Sequence, residues 1–400
     1  MKRVVITGAG TVNALGLNLP ATLAAFRDGR SGIGPLTCRD ADRLSVRIGA
    51  EVRGFDPAAH FPPAEAARLD RFSQFALVAA REAIAAAGLD LTAGPAAQGG
   101  VILGTAGGGL ATSEENYRAV FAEGRNRVPP LTVPRLMHSA AASQVSMAFG
   151  LTGPVFSVAS ACASSNHAIG LAFQLVRAGV APFMIAGGTE AMLTFGGIKA
   201  WEGLRVLSPD GCRPFCASRN GLVMGEGAGV FVIEERDHAR ARGAPILAEI
   251  AGFFMGADAG DLLAPSAEGA ARAMRGALAD AGLAPRDIGY INAHGTGTAL
   301  NDAAEGAAIL EVFAGCPPLV SSTKSLHGHA IGASGAIELL ACLMALDEGL
   351  VAPTAGVTAP GPAIPLRLVC GQAVRASVDA CLSNAFAFGG LNAVLALRRG

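Results

Sequence analysis

Short runs rich in valine and isoleucine alternate with alanine-rich stretches along most of the chain. RVVITGAG, FALVAAREAIAAAG, GGVILGT, APFMIAGG and GVFVIEERDHARARG are examples. The short runs are apolar throughout, as in strands covered on both faces, and the longer stretches carry apolar residues at helical spacing. This pattern predicts an α/β protein with parallel sheets clothed by helices. GPVFSVASACASSNHAIGLAFQLVRAG and PPLVSSTKSLHGHAIGASGAIELLACLMALDEG each read as a strand, a turn of small polar residues, then a long apolar helix. Two copies of one device predict a duplicated fold. The join falls near 237–246, where DHARARGAPI is charged and then broken by glycine and proline, giving halves 1–240 and 241–400.

FSVASACASSNHAIG, residues 156–170, contains the first candidate for chemistry. The β-branched run stops and Ala, Ser and Asn begin a helix, so Cys162 is expected at a helix N-terminus, where unpaired N–H groups favour a thiolate.

Composition narrows the class. The 400 residues are 51% hydrophobic and 5% aromatic with 53 glycines, which suits close-packed helices on sheets. A net charge of −1 gives no general attraction to nucleic acid or to a membrane surface, so a charged partner must meet a local patch. Mean hydropathy is high at +0.42, yet no apolar run approaches the roughly 18 residues of a membrane span. The apolar start breaks at Gly8, too early for a secretory signal. The excess hydropathy is assigned to doubly covered sheets and to a subunit interface. The eight cysteines form no C-x-x-C pair and have no histidine cluster beside the closest two, which argues against zinc; without an export signal, disulfides are not expected and the chain reads as cytoplasmic. TGAGTVNALG lacks the G-x-G-x-x-G spacing of a dinucleotide turn and is read as a tight turn.

Two further turns follow predicted strands. INAHGTGTALNDAAE carries His294, Thr296 and Thr298; SSTKSLHGHAIGASG carries Lys324, His327 and His329. Strand ends are where α/β sheets bind ligands, so facing halves would bring Cys162, His294 and His329 to one cavity. A thiolate suits attack on a thioester, and two neutral imidazoles donating from Nε2 suit a second anion such as an enolate. A protease needs one histidine; the second is the discriminating feature.

The motifs SACASS, NAHGTGT, SSTKSLHGH, RPF with GLVMGEGAGVFVIEE, and SNAFAFGGLNAVLAL together resemble the β-ketoacyl-acyl-carrier-protein synthases, in the type II elongating group of the thiolase superfamily. The resemblance runs the length of the chain. It implies a thiolase-like fold, duplicated α/β halves in five layers (αβαβα), in a homodimer. It implies decarboxylative Claisen condensation without a metal or redox cofactor, with acyl- and malonyl-loaded acyl carrier protein as partner. Carried over by position, Cys162 is the nucleophile, His294 and His329 the histidines, Lys324 the lysine and Glu338 the glutamate on the next helix. Asp302 and Glu305 match the acidic pair, one of them expected to neutralise Lys324. Thr296 and Thr298 match the pantetheine threonines, and Phe388 the gate whose N–H joins that of Cys162 in an oxyanion hole. His327 is read as structural.

Resemblance also places carrier docking on Arg68 and Arg205, with Arg125 and Arg127 contributing and Arg71 a weaker candidate. It sets Gly107 and Trp201 at the acyl pocket. The chain departs from the pattern at Cys216 and Asn220, where aspartates are usual, and at Ala387 and Leu391, where glycine and threonine are. Ala387 is expected to stiffen the gate. Three alternatives stay open: a polyketide-type ketosynthase subunit working with a chain-length partner, a non-catalytic partner subunit, and a non-decarboxylating thiolase using Cys381 as base.

Overall fold

The computed structural model describes residues 1–91 and 98–400. The strands of the first half are β1 (Val4–Asn13), β2 (Gly34–Pro35), β3 (Ile48–Gly49), β4 (Gly100–Gly104), β5 (Val155–Val158), β6 (Phe183–Glu190) and β7 (Gly227–Glu235). Those of the second are β8 (Ala248–Ala257), β9 (Tyr290–Asn292), β10 (Leu319–Ser321), β11 (Leu350–Val351), β12 (Arg367–Leu368), β13 (Val374–Arg375), β14 (Ala380–Ala387) and β15 (Leu391–Arg398). Eleven form one sheet in the order β12-β10-β9-β14-β15-β8-β1-β7-β6-β4-β5; β2 with β3 and β11 with β13 make small outlying pairs.

The strand order displays the duplication. From β1 outward the first half runs β1-β7-β6-β4-β5, and from β8 outward the second runs β8-β15-β14-β9-β10, with the same sequence of directions. The halves meet where β1 and β8 pair antiparallel, Val4 opposite Ile250. The sheet is mixed rather than parallel: β1, β7 and β6 alternate in direction, as do β8, β15 and β14, and the parallel runs are β6-β4-β5 and β14-β9-β10-β12. Continuous apolar strands report cover on both faces, which does not require parallel pairing, and here it comes from the layers.

Helices Ser164–Arg177 and Ser334–Glu348 lie at the centre, each touching strands of both halves. Ser334–Leu346 is buried around its whole circumference, as an apolar helix without a polar stripe must be. Helices Arg71–Ala86 and Ala267–Ala281 cover the outer faces, on β1 with β7 and on β8 with β15. Their starts are fixed by Asp70, which accepts from the Phe72 N–H, and Ser266, which accepts from the Gly269 N–H. The result is five layers, αβαβα, the thiolase-like architecture. Among the described residues no helix is long and apolar enough to cross a membrane.

Candidate active site

After β5 the chain makes a tight turn at Ala161–Ala163 and enters the central helix at Ser164. Ala161 sits at φ +48°, a strained conformation for alanine that throws Cys162 onto the helix end. Ser164 anchors the turn, its hydroxyl donating to the Ala161 carbonyl and accepting from the Ser160 N–H. The second half repeats the device: Ile331 at φ +42°, then Gly332, Ala333 and the other central helix from Ser334. One copy carries the sulfur; the other carries His329 just before its turn.

His329 Nε2 stands 3.1 Å from Cys162 Sγ. Its Nδ1 accepts from the Ile331 N–H at 3.2 Å and contacts Ser334 Oγ at 2.7 Å. A backbone N–H can only donate, so Nδ1 is unprotonated and Nε2 carries the hydrogen. His294 is fixed the same way, its Nδ1 lying 3.4 Å from the Lys324 ammonium, which also can only donate. The two rings meet edge to face with centroids 5.5 Å apart. Burial, then the Lys324 charge, hold both histidines well below the usual range, so both are neutral donors.

Burial pushes the Cys162 thiol up to about 12, although the Lys324 charge pulls it down. Desolvation therefore opposes, in the resting site, the thiolate that the helix end favours.

Lys324 is fully buried and gives its hydrogens to Glu338, to the His294 carbonyl at 2.5 Å and toward His294 Nδ1. Glu338 is its counter-ion. The expectation that Asp302 or Glu305 neutralises Lys324 is corrected here, because both spend their oxygens on backbone donors. Glu305 accepts from the N–H groups of His294 and Gly295 at 2.8 and 2.7 Å, and Asp302 from those of Phe215 and Gly297 at 2.7 and 3.2 Å. Burial raises Asp302 to about 6 and Glu305 to about 7. They shape the His294–Gly297 loop. His327, pushed down to about 3 by burial, contacts Thr323 Oγ1 away from the sulfur.

A cavity of about 410 Å³ opens onto Cys162, His294 and His329, and Thr296, Thr298, Trp201, Arg205, Phe386 and Phe388 also line it. The hydroxyls of Thr296 and Thr298 are 2.8 Å apart. Phe388 stacks on Trp201 with centroids 6.0 Å apart and planes at 25°. Ala387 is the last residue of β14, opposite Leu391, so the free turn is Phe388–Gly390, with Gly389 and Gly390 at φ +82° and +68°.

Other expected positions fall elsewhere. Gly107 is outside the cavity lining, and a Cβ there would meet Met192 Cγ at 2.9 Å. Arg71 is taken up by Glu226 at 2.7 Å, which removes it as a docking candidate. Arg68 and Arg127 are exposed, and Arg125 pairs with Glu123 at 3.0 Å. Cys381 is fully buried on β14 and does not line the cavity, which removes the base the thiolase alternative needs. The residue that sequence reasoning missed is Glu190, fully buried at the end of β6; a lone acid closing the apolar run in APFMIAGGTE was the available signal.

Among the described residues one group has the makings of a metal site, Cys162, His294 and His329, with ligand atoms within 4.8 Å of one another. Both imidazoles lock a lone pair outward and keep a proton for the cavity, and Lys324 adds positive charge. The set is arranged for an anion.

Two family models match the chain, the β-ketoacyl synthase N-terminal domain over residues 1–239 and the C-terminal domain over residues 247–358. The chain belongs to the β-ketoacyl synthase family of condensing acyltransferases. It is 48% identical over 400 residues to nodulation protein E of Rhizobium sp. (strain N33), covering 100% of this chain and 99% of that one. It is 40% identical over 407 residues to 3-oxoacyl-[acyl-carrier-protein] synthase 2 of Staphylococcus aureus (strain COL), covering 100% and 98%. Among solved structures, the ishigamide ketosynthase/chain length factor superposes with a TM-score of 0.94 at 33% identity, covering 100% of this chain and 99% of that one.

Proposed function

We propose that the chain extends acyl groups by decarboxylative Claisen condensation on an acyl carrier protein. The carrier's thioester passes its acyl group to Cys162: the new C–S bond forms, the old one breaks, and the Cys162 proton leaves with the carrier thiol. Malonyl carrier then enters. Its carboxylate departs as CO₂ and leaves the electron pair on an enolate, whose oxygen accepts from the Nε2–H groups of His294 and His329. The enolate carbon attacks the Cys162 thioester, and the expelled sulfur takes a proton from solvent. The observation that carries this reading is the pair of neutral imidazoles, each with Nδ1 occupied and Nε2–H left for one cavity beside a thiol.

In this reading Lys324 fixes His294, with Glu338 as its counter-ion, while Asp302 and Glu305 shape the His294 loop. Thr296 and Thr298 hold the pantetheine arm, Trp201 walls the cavity, and the Phe388 gate completes the oxyanion hole with Cys162. Arg205, at the cavity rim, with Arg68, Arg125 and Arg127, steers the acidic carrier. The enzyme is a cytoplasmic homodimer of chains divided at 240/241. A second reading, a ketosynthase subunit paired with a chain-length partner, is favoured by the name of the ishigamide relative and shares this chemistry.

Cys162→Ala is the test. It is expected to lose the acyl adduct and condensation while keeping slow malonyl decarboxylation, both followed by mass spectrometry. An acyl adduct elsewhere on the variant refutes the nucleophile; loss of decarboxylation in step with condensation refutes the role of the histidines. Arg205→Glu should raise KM for carrier-bound substrate and spare a pantetheine thioester, and equal loss on both would end the docking role.

A further inference from the structure

The two central helices begin with equivalent turns, and position for position Gly332 is the mate of Cys162. A nucleophile's turn leaves its N–H for an oxyanion. At the mate, a carboxyl group belonging to the protein already occupies the equivalent place. Glu190 Oε2 accepts from the Gly332 N–H at 3.1 Å and the Ala106 N–H at 2.7 Å. Its Oε1 accepts from the Gly107 N–H and Thr105 Oγ1, both at 3.1 Å. Gly332 has no room for a side chain, since a Cβ would lie 2.6 Å from both the Ala106 nitrogen and Glu190 Oε2. Ser165, on the nucleophile's helix, donates to the Gly332 carbonyl and clamps the turn from the other side. Next to Gly332 is Ile331, whose N–H sets the tautomer of His329.

We propose that Glu190 is the positioning residue of His329: its carboxylate, seated in the mate of the oxyanion hole, fixes the Ile331–Ala333 turn and thereby keeps His329 as the Nε2–H donor. The inference rests on the reading that His329 stabilises the enolate. A carboxylate suits the place, because backbone N–H groups converge on both oxygens and a hydrogen on either one meets a backbone donor, with Thr105 Oγ1 the one neighbour of the four able to accept it. Glu190 touches no substrate in this arrangement. It acts through the turn.

The decisive variant is Glu190→Gln, which keeps the shape and sets an amide NH₂ against backbone N–H groups. The measurements are malonyl decarboxylation, acylation of Cys162 by a pantetheine thioester, and ¹⁵N-histidine spectra at about pH 8, above the value near 7 to which burial raises Glu190. Decarboxylation is expected to fall about tenfold to a hundredfold. Acylation should change little, and His329 should show a second tautomer where the parent enzyme shows Nε2–H alone. An unchanged His329 spectrum, or acylation and decarboxylation falling together, overturns the proposal. If Glu190→Gln does not fold, Glu190→Asp retracts the same charge by one methylene; the tautomer mixture is again expected, and a pure Nε2–H signal again overturns it. His329→Ala separates the two ideas. If decarboxylation survives that change, the enolate reading fails, while the tautomer shift in the Glu190 variant still stands or falls by itself.

Discussion

At the scale of the residue, Cys162 is caught between two effects of opposite sign. The helix end and the Lys324 charge favour the thiolate, while enclosure among Phe386, the two imidazoles and the central helices favours the thiol. Burial outweighs the Lys324 charge, and the thiol is pushed up to about 12. The thiolate fraction then rises about tenfold with each pH unit across the neutral range. Alkylation of Cys162 by iodoacetamide, followed on its own peptide by mass spectrometry, should climb steadily from mildly acidic to mildly alkaline pH. A plateau near neutrality would mean that the helix end outweighs burial. The histidines follow the same physics in the other direction. Both are depressed well below their usual range by burial first and Lys324 second, so neither gains a proton at neutral pH and both remain donors through Nε2 alone.

At the scale of the element, the central helix Ser334–Glu348 carries more than apolar packing. Glu338 emerges from it to meet Lys324 with side chains 1% and 0% exposed, and that single ion pair ties the helix to the turn after β10 and to the His294 loop. Desolvating two charges costs nearly as much as their attraction returns, but removing one partner leaves the other buried and uncompensated. Glu338→Ala should therefore lower stability by about 3–5 kcal/mol, whereas Lys324→Met with Glu338→Met should lower it much less. Urea unfolding of the two variants decides it. Equal losses would show that the pair's worth lies in its packing volume and not in its charges.

At the scale of the whole molecule, the described strands of the large sheet end at β12 and β5. β5 is one end strand, and Phe156 on it is 39% exposed. Helix Ala140–Phe149 packs beside it and leaves Met147 66% exposed, and the neighbouring segment leaves Val133 61% and Phe121 83% exposed. Among the described residues no strand pairs with the outer side of β5, and such an edge flanked by apolar side chains suits cover by a second chain. In sedimentation runs the protein should be a dimer, and Phe156→Asp should convert it to monomer at the same concentration. A dimer that survives the change places the interface elsewhere.

The sequence by itself determined what local chemistry can write. Apolar runs marked the strands. The small-residue turns marked Cys162, His294 and His329, and the near-repeat of one strand–turn–helix device announced the duplication, because each of these is decided within a few neighbouring residues. Strand direction was not legible, since cover on both faces gives the same apolar run in a parallel or a mixed sheet. The partner of Lys324 was not legible either. Asp302 and Glu305 lie beside His294 in the sequence, yet backbone N–H groups of the His294–Gly297 loop and of Phe215 claim them, and the counter-ion arrives from a helix that only packing brings across. Glu190 belongs to the same class: an acid at the end of β6 whose donors come from the segment Thr105–Gly107 and from Gly332 in the other half. Tertiary structure alone decides such contacts, because a buried charge is satisfied by whichever groups the fold delivers within hydrogen-bond reach.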